Sequence, residues 1–336
     1  MFSVAMCTYN GARFLGAQLA SVAAQTLAPG ELVVCDDRST DETASIVREF
    51  ASSAPFPVRL HVNEQNLGST RNFERAVSLC AGELIALSDQ DDVWLPHKLA
   101  RLEQEFARDA SALAVFSDAE VVDEETRPTG RGLWESVGVS AGELALMEGG
   151  RGVGELLRGA TVTGATMAVR ASLRGLALPF PADLPLIHDG WMVLLAACVG
   201  GVRPVPERLV LYRRHGSQQV GPLARPDAAG GLGAVVAGET LGALSRANPY
   251  DSTLSVARAA RDRLAGARSR GLDIAKGARA ARSLAELDSR IAHLDARRTL
   301  PRARLRRAAP VLKELLALRY HRFANGFASA AKDLLS

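Results

Sequence analysis

Aromatic residues make up only 5% of this 336-residue chain, and it holds just four cysteines. Cys7, Cys35, Cys80 and Cys198 lie far apart and form no C-x-x-C pair, and three of them sit in or beside apolar runs. That usage suits free thiols acting as small core hydrophobes in a reducing compartment, and argues against a disulfide framework or a Cys-based metal site. Long apolar runs are also missing. The longest, residues 191–202, is broken by glycine and falls short of the roughly 20 residues that a bilayer span needs. No basic leader with a cleavage site is visible, so the expected location is the cytoplasm, or the inner face of the cell membrane as a peripheral protein. Neither G-x-G-x-x-G after the first apolar stretch nor G-x-x-x-x-G-K-[ST] occurs, which argues against dinucleotide oxidoreductases and P-loop enzymes.

A large charge of one sign is absent as well, since 40 Lys/Arg against 37 Asp/Glu leave +3. The distribution is uneven, however. Residues 256–307 hold fifteen Lys/Arg and five Asp/Glu, a local +10 that leaves about −7 for the rest of the chain. With 47% hydrophobic residues, the chain can build a packed core and has length for one large domain with an appendage, or for two domains.

What is present centres on Leu84-Ile85-Ala86-Leu87-Ser88-Asp89-Gln90-Asp91-Asp92-Val93-Trp94. An apolar strand runs straight into three carboxylates within four positions. Carboxylates crowded this closely repel one another, so an ordered site needs a cation or hydrogen-bond donors. An α/β sheet commonly holds Mg²⁺ or Mn²⁺ in this way, against the phosphates of a substrate at the carboxyl ends of its strands. One acid would suffice as an N-cap for the helix that follows Trp94-Leu95-Pro96; three point to a metal.

Around this stretch the chain alternates strand and helix. Strands are expected at 2–7, 31–35, 58–62 and 84–87, and helices at 13–24, 42–50, 69–80 and 97–108. The spacing implies a mostly parallel, Rossmann-like sheet flanked by helices. Its carboxyl edge would gather Thr8, the pair Asp36-Asp37, and Asp89 with Asp91. Two acidic clusters there suit a two-part ligand, with Asp36 or Asp37 accepting from a nucleobase N–H or a ribose hydroxyl. Capping of the next helix accounts for Ser39, Thr40 and Asp41 but not for Asp36-Asp37.

Further on, 114–118 and 120–123 read as two strands, 130–154 as a loop-rich connection and 161–169 as a strand. A rigid proline loop leads to His188-Asp189-Gly190-Trp191 and a helix over 192–198, with Asp189 as its plausible cap. Residues 208–216 read as a strand entering a basic turn, where His215 suits an anion or metal-phosphate pocket. From about residue 222 Ala, Arg and Leu dominate. Leu284, Leu287, Ile291 and Leu294 form a short helix-packing seam, and helices are expected over 311–320 and 323–335. The tail suits an ordinary helical subdomain with a solvated basic face, an anionic membrane surface met by the arginines of 302–307 and the leucines nearby, or pairing of two subunits. Nucleic acid fits poorly, because the basic segment has hardly any aromatics for stacking.

In order, Thr8-Tyr9-Asn10-Gly11, Asp36-Asp37-Arg38-Ser39-Thr40-Asp41, Asn66-Leu67-Gly68 with Arg71-Asn72, the acidic stretch through Trp94, His188-Asp189-Gly190-Trp191 and Tyr212-Arg213-Arg214-His215-Gly216 resemble the motifs of family 2 glycosyltransferases, the rhamnosyltransferase-like members in particular. Arg38 stands where many members have glycine. The resemblance implies a GT-A fold in residues 1–221 with a helical, Arg-rich region in 222–336 for membrane or subunit association. It further implies a nucleotide-diphosphate sugar donor and a glycan or lipid-linked acceptor in cell-surface polysaccharide synthesis. Thr8, Tyr9, Asn10, Asp36, Asp37, Arg71 and Asp89 would bind the nucleotide sugar, while Asp89, Asp91 and His215 would hold Mg²⁺ or Mn²⁺. Asp189 would be the catalytic base, and Gly164, Ala165 and Trp191 would lie on the acceptor side. A single base opposite the leaving group implies direct displacement with inversion. Two alternatives stand beside this reading. A sugar-1-phosphate nucleotidyltransferase would share the sheet and the acids but lacks its Gly-rich loop with Lys here. A non-catalytic membrane- or partner-binding protein would leave Asp89, Asp91 and Asp189 without purpose.

Overall fold

Seven consecutive residues, Phe2–Thr8 (β1), are buried, as are all of Glu31–Asp36 (β2) and Leu84–Ser88 (β4). Strands apolar on both faces belong inside a parallel sheet covered by helices, and the computed structural model places them there. It describes residues 1–159, 162–216, 218, 250–301 and 303–335. β1 pairs in parallel with β2 and β4, and β2 with the half-exposed edge strand Val58–Val62 (β3). The connecting helices are Ala12–Ala23 (α1), Thr43–Ser53 (α2) and Ser69–Leu79 (α3). α1 buries Phe14, Leu15, Leu19 and Val22, the apolar spacing of a helix face, while α3 turns Phe73, Ala76 and Val77 inward against β1 and β2.

The second half of the sheet is mixed. It comprises Val93–Trp94 (β5), Ala112–Val122 (β6), Pro128–Gly132 (β7), Met167–Arg170 (β8) and Gly201–Arg213 (β9). The full order is β3-β2-β1-β4-β8-β6-β9-β5, with β7 on β6. The long ladders, including β6 with β9, are parallel, and the short ones through β8, β5 and β7 are antiparallel. Lys98–Arg108 (α4), Leu133–Val137 (α5), Ala141–Glu148 (α6), Val153–Leu156 (α7), Arg174–Ala177 (α8) and His188–Val199 (α9) complete this half.

Several expectations are corrected. The two strands expected at 114–118 and 120–123 are one, β6, whose ladder to β9 shifts register around Asp118 instead of turning. The stretch 130–154 is not a loop but β7, α5, α6 and the start of α7, and Ser140 and Glu143 form a reciprocal capping box that starts α6. Within 161–169 only Met167–Arg170 is strand; Gly164–Thr166 is a single 3₁₀ turn, and residue 161 lies outside the described residues. α9 begins at His188, not at 192, so Asp189 is inside the first turn and Ile187 is the N-cap. Gly190 leaves room for Leu186 against this first turn, since a β-carbon there would stand 2.4 Å from Leu186 Cδ1. Glu42 occupies the N-cap of α2 without a side-chain bond, so neither Ser39 nor Thr40 caps it.

The chain divides into two compact units, Met1–Phe180 with Leu186–Gly238, and Pro181–Pro185 with Glu239–Ser336. The expected boundary at 221/222 lies outside the described residues, as does Arg302. The second unit contains Asp251–Ser269 (α10), Ala278–Arg298 (α11), Ala308–Leu316 (α12), Arg319–Phe323 (α13) and Phe327–Leu335 (α14). A residue in the left-handed region, Leu318 at φ 56°, splits the helix expected over 311–320. Leu287 and Leu294 are buried inside this unit, so the seam on α11 is largely spent within the chain. Polar groups are buried with them: His293 Nδ1 lies 2.8 Å from Glu314 Oε2, and Asp333 accepts from Arg297 and from the Tyr320 hydroxyl.

Candidate active site

In the sheet register Thr8 faces Asp36 and Met6 faces Ser88, so the loops after β1, β2 and β4 emerge side by side at one edge. They are interlocked. Gln90 accepts from Tyr9 N–H at 2.8 Å and donates to Tyr9 C=O at 3.0 Å, pairing its amide with the backbone of the β1 loop. This close approach needs Gly11, because a β-carbon there would stand 2.1 Å from Gln90 Oε1. Asn10 N–H donates to Ser39 Oγ, and Asn10 Oδ1 accepts from Thr40 N–H. Arg38 holds φ 63°, the conformation glycine adopts without penalty, so the turn forms at some backbone cost.

Asp36 and Asp37 are buried and largely occupied. Asp36 accepts from Thr8 Oγ1 at 2.8 Å, Ser39 Oγ at 2.5 Å and Ser39 N–H at 2.9 Å. Asp37 accepts from Asn63 Nδ2 and Leu67 N–H, both at 2.7 Å, and from Gly68 N–H at 2.9 Å. A carboxylate offers about four acceptor positions, so each retains room for about one more donor. Their first task is to shape the edge. Asp37→Ala is accordingly expected to lower stability by about 3 kcal/mol, because two backbone N–H groups lose a charged acceptor. A urea midpoint unchanged from the parent protein would show that Asp37 has no such role. Arg71, in the first turn of α3, donates to Glu74 at 2.7 Å and Phe180 C=O at 2.9 Å, and lines a 530 Å³ pocket with Leu67, Glu74, Arg75, Ser78, Leu178 and Pro179.

The acidic loop is clamped to the end of β9. Arg213 N–H donates to Asp92 Oδ1 at 3.0 Å, and its guanidinium donates to Asp91 C=O at 2.7 Å and to Glu124 C=O while lying over the Phe14 ring. His215 Nε2 is 2.8 Å from Asp91 Oδ2, and its ring packs on Phe14 at 4.7 Å. Asp91 and His215, 124 positions apart in sequence, are thus brought together. Asp89 faces both Asp91 and Asp189; burial first, then repulsion from each, pushes its carboxyl up to about 7. Burial, then repulsion from Asp91 and Asp89, raises Asp92 well above the usual carboxylate range, and its Oδ2 has no hydrogen-bond partner among the described residues.

Asp189 arrives from α9. Its Oδ2 accepts from Gly164 N–H at 2.9 Å and its Oδ1 from Gly190 N–H at 2.6 Å, so it ties the 3₁₀ turn to the helix and is not the helix cap. Gly164 and Ala165 are buried beside it. Trp191 is 1% exposed and donates from Nε1 to Ala177 C=O at 3.0 Å; its indole belongs to the core, so it presents no side chain to an acceptor.

Sequence reasoning passed over Lys98. This lysine is fully buried, donates to Ala165 C=O at 2.7 Å and stands 3.5 Å over the Trp94 ring. Burial lowers it well below the usual lysine range, against the opposing pull of Asp92 and Asp89. Its charge acts on Asp89 and Asp92, and its bond to Ala165 also supports the turn that holds Asp189. A signal existed, because Lys98 shares the buried face of α4 with Leu99, Leu102 and Phe106, where a charge is out of place. His188 was also missed: buried, stacked on Phe73 at 4.1 Å, with Nδ1 unpartnered among the described residues and burial lowering its basicity.

Among the described residues no three His, Cys, Asp or Glu side chains form a closed metal cage. The donors present still suit a hard divalent cation of the open kind. Mg²⁺ typically takes one or two protein carboxylates and completes its shell with water and substrate phosphates. Asp89 and Asp91 supply oxygen donors whose mutual repulsion a cation would relieve, and His215 stands against Asp91 Oδ2.

Residues 3–152 match the family described as glycosyl transferase family 2. An uncharacterised glycosyltransferase of Nostoc sp. is 27% identical over 218 residues, covering 64% of this chain and 65% of its own. The UDP-Glc:alpha-D-GlcNAc-diphosphoundecaprenol beta-1,3-glucosyltransferase WfgD of Escherichia coli is 37% identical over 99 residues, 30% of this chain and 38% of its own. The matched part thus spans less than two thirds of either relative. In solved structures, Staphylococcus aureus TarS residues 1–349 in complex with UDP-GlcNAc superimposes with a TM-score of 0.58 at 18% identity, covering 99% of this chain and 88% of the other. That likeness is one of fold: an α/β, GT-A type sheet flanked by helices, followed by a helical C-terminal region.

Proposed function

We propose that this chain is a glycosyltransferase that moves a sugar from a nucleoside-diphosphate donor to a hydroxyl of a glycan or lipid-linked acceptor, with inversion at the anomeric carbon. The observation that carries the reading is the convergence of Asp89, the Asp91–His215 pair and Asp189 on one sheet edge. Asp89, Asp91 and His215 would hold Mg²⁺ or Mn²⁺, whose charge offsets the negative charge that builds on a departing diphosphate. Thr8, Tyr9, Asn10, Asp36 and Asp37 frame the nucleotide, with the remaining acceptor positions of the two aspartates open to a base N–H or a ribose hydroxyl. Asp189 removes the proton of the attacking hydroxyl, its two backbone donors fixing the carboxylate's direction. A single base acting on the acceptor hydroxyl gives one displacement, hence inversion. Rhamnose is one candidate sugar on the motif resemblance, and a UDP-linked hexose is another on the names of the relatives. The 222–336 region is assigned to association, with a membrane or a second subunit, and not to chemistry.

Incubation with a panel of UDP-, dTDP- and GDP-sugars and Mn²⁺ tests the reading. Slow donor hydrolysis releasing a nucleoside diphosphate is expected with at least one donor. Release of pyrophosphate from a nucleoside triphosphate and a sugar 1-phosphate would instead identify a nucleotidyltransferase, and no turnover or thermal stabilisation by any donor would sink both.

A further inference from the structure

Of the eight large hydrophobic side chains exposed among the described residues, six fall between residues 305 and 335: Leu305, Leu312, Leu316, Leu318, Phe327 and Leu335. They are not scattered. On α12, Leu312 and Leu316 are four residues apart and share the outward face with Ala308 and Ala309, opposite buried Val311 and Glu314. On α14, which packs beside α12, Phe327, Ala331 and Leu335 repeat the spacing outward, opposite buried Ala330 and Asp333. Two neighbouring helices therefore bury their acids and send Leu315 and Leu334 inward, yet leave Leu312, Leu316, Phe327 and Leu335 exposed where a water-facing surface would carry polar residues.

The charges of this segment are just as one-sided. Its two acids are internal, Glu314 against His293 and Arg319, Asp333 against Arg297 and Tyr320. The exposed charged residues of 303–335 are Arg304, Arg306, Lys313, Arg322 and Lys332, with His321 beside Phe327; no acid of that stretch is exposed. An apolar stripe edged only by cations matches an anionic bilayer interface, where acyl chains receive the leucines and headgroup phosphates receive Lys and Arg. Protein interfaces are depleted in Lys at their core, whereas this stripe has Lys313 and Lys332 beside its leucines.

We propose that the outward face of α12 and α14, with Leu305 and Leu318 at its ends, inserts shallowly into the headgroup boundary of an anionic membrane. This deepens the association assigned above and stands whether or not the chain transfers sugar. The seam on α11, largely buried, takes no part.

Full-length protein would be sedimented with vesicles of phosphatidylcholine containing a third phosphatidylglycerol, and with phosphatidylcholine alone. Binding to the anionic vesicles, weakened by salt and nearly absent on neutral ones, is expected. Leu312→Gln with Leu316→Gln and Phe327→Gln should weaken it about tenfold, and Lys313→Glu with Lys332→Glu by a similar factor at low salt. All five positions are exposed, so melting temperature should be unchanged, which separates lost contact from lost folding. Three results would overturn the proposal: no binding to anionic vesicles; equal binding by both variants, which would place the contact elsewhere in the basic tail; or a dimer in light scattering that the leucine variant abolishes, which would make the face a contact between copies. Donor hydrolysis read on the same samples keeps this outcome distinct from failure of the transferase assignment.

Discussion

Asp189→Asn is expected to keep nucleotide-sugar affinity while transfer falls by about 10²–10⁴-fold, the usual contribution of a positioned general base. The structure sharpens this test in one respect. Asn would be a neutral replacement at a helix cap, but Asp189 lies within the first turn of α9 and accepts from Gly164 and Gly190 N–H with different oxygens. An amide satisfies one of those donors and turns an N–H₂ toward the other. A stability loss of about 1–2 kcal/mol is therefore expected as well, and activity must be compared well below both melting temperatures. The decisive readout is the split between binding and turnover. Donor affinity within about twofold of the parent, beside transfer lost by 10² or more, identifies the base. An Asn variant with near-normal turnover on a slightly softened fold would end the catalytic assignment and leave Asp189 as a tie between helix and turn.

That correction illustrates which parts of the molecule were legible in sequence. β1, β2 and β4 declared themselves because strands buried on both faces are continuous apolar runs, and the acids at their ends fell on one edge once parallel pairing was assumed. The meeting of Asp91 with His215 was readable only as an ordered set of motifs, since nothing local joins residues so far apart. Elements whose identity depends on distant partners were misread. β8 is four residues long and exists because β4 and β6 flank it; α9 starts four residues early because a buried helix tolerates Asp189-Gly190, whereas Asp189 read locally as its cap. α6 was legible and overlooked, its Ser140–Glu143 capping box hidden among glycines. Lys98 is the most instructive omission. Composition treats a lysine as surface, but here its ammonium is spent on Ala165 C=O, the Trp94 ring and the charge of the acids.

Replacing Asp91 by Asn should abolish metal-dependent donor binding, with affinity in Mn²⁺ falling on the order of 10²-fold toward the metal-free level. The substituted amide would still reach His215 but would bring no charge to the cation, so the loss reports the carboxylate and not the fold. Asp89 gives the same experiment a pH axis. Its carboxyl is pushed up to about 7 by burial and by the charges of Asp91 and Asp189, so without metal it holds its proton through much of the acidic range. A carboxyl raised in this way costs the fold stability as pH climbs from the ordinary carboxylate range toward 7, and a cation that binds the ionised form reverses that cost. Metal binding near neutral pH should therefore release protons, and affinity should fall as pH drops below 7. Calorimetry in two buffers of different ionisation enthalpy measures the release. In Asp91→Asn one repelling charge is gone, so Asp89 ionises more readily and any residual binding should release fewer protons. Equal nucleotide affinity with and without Mn²⁺ in the parent protein, or proton release unchanged by the substitution, would show that these acids do not hold the metal.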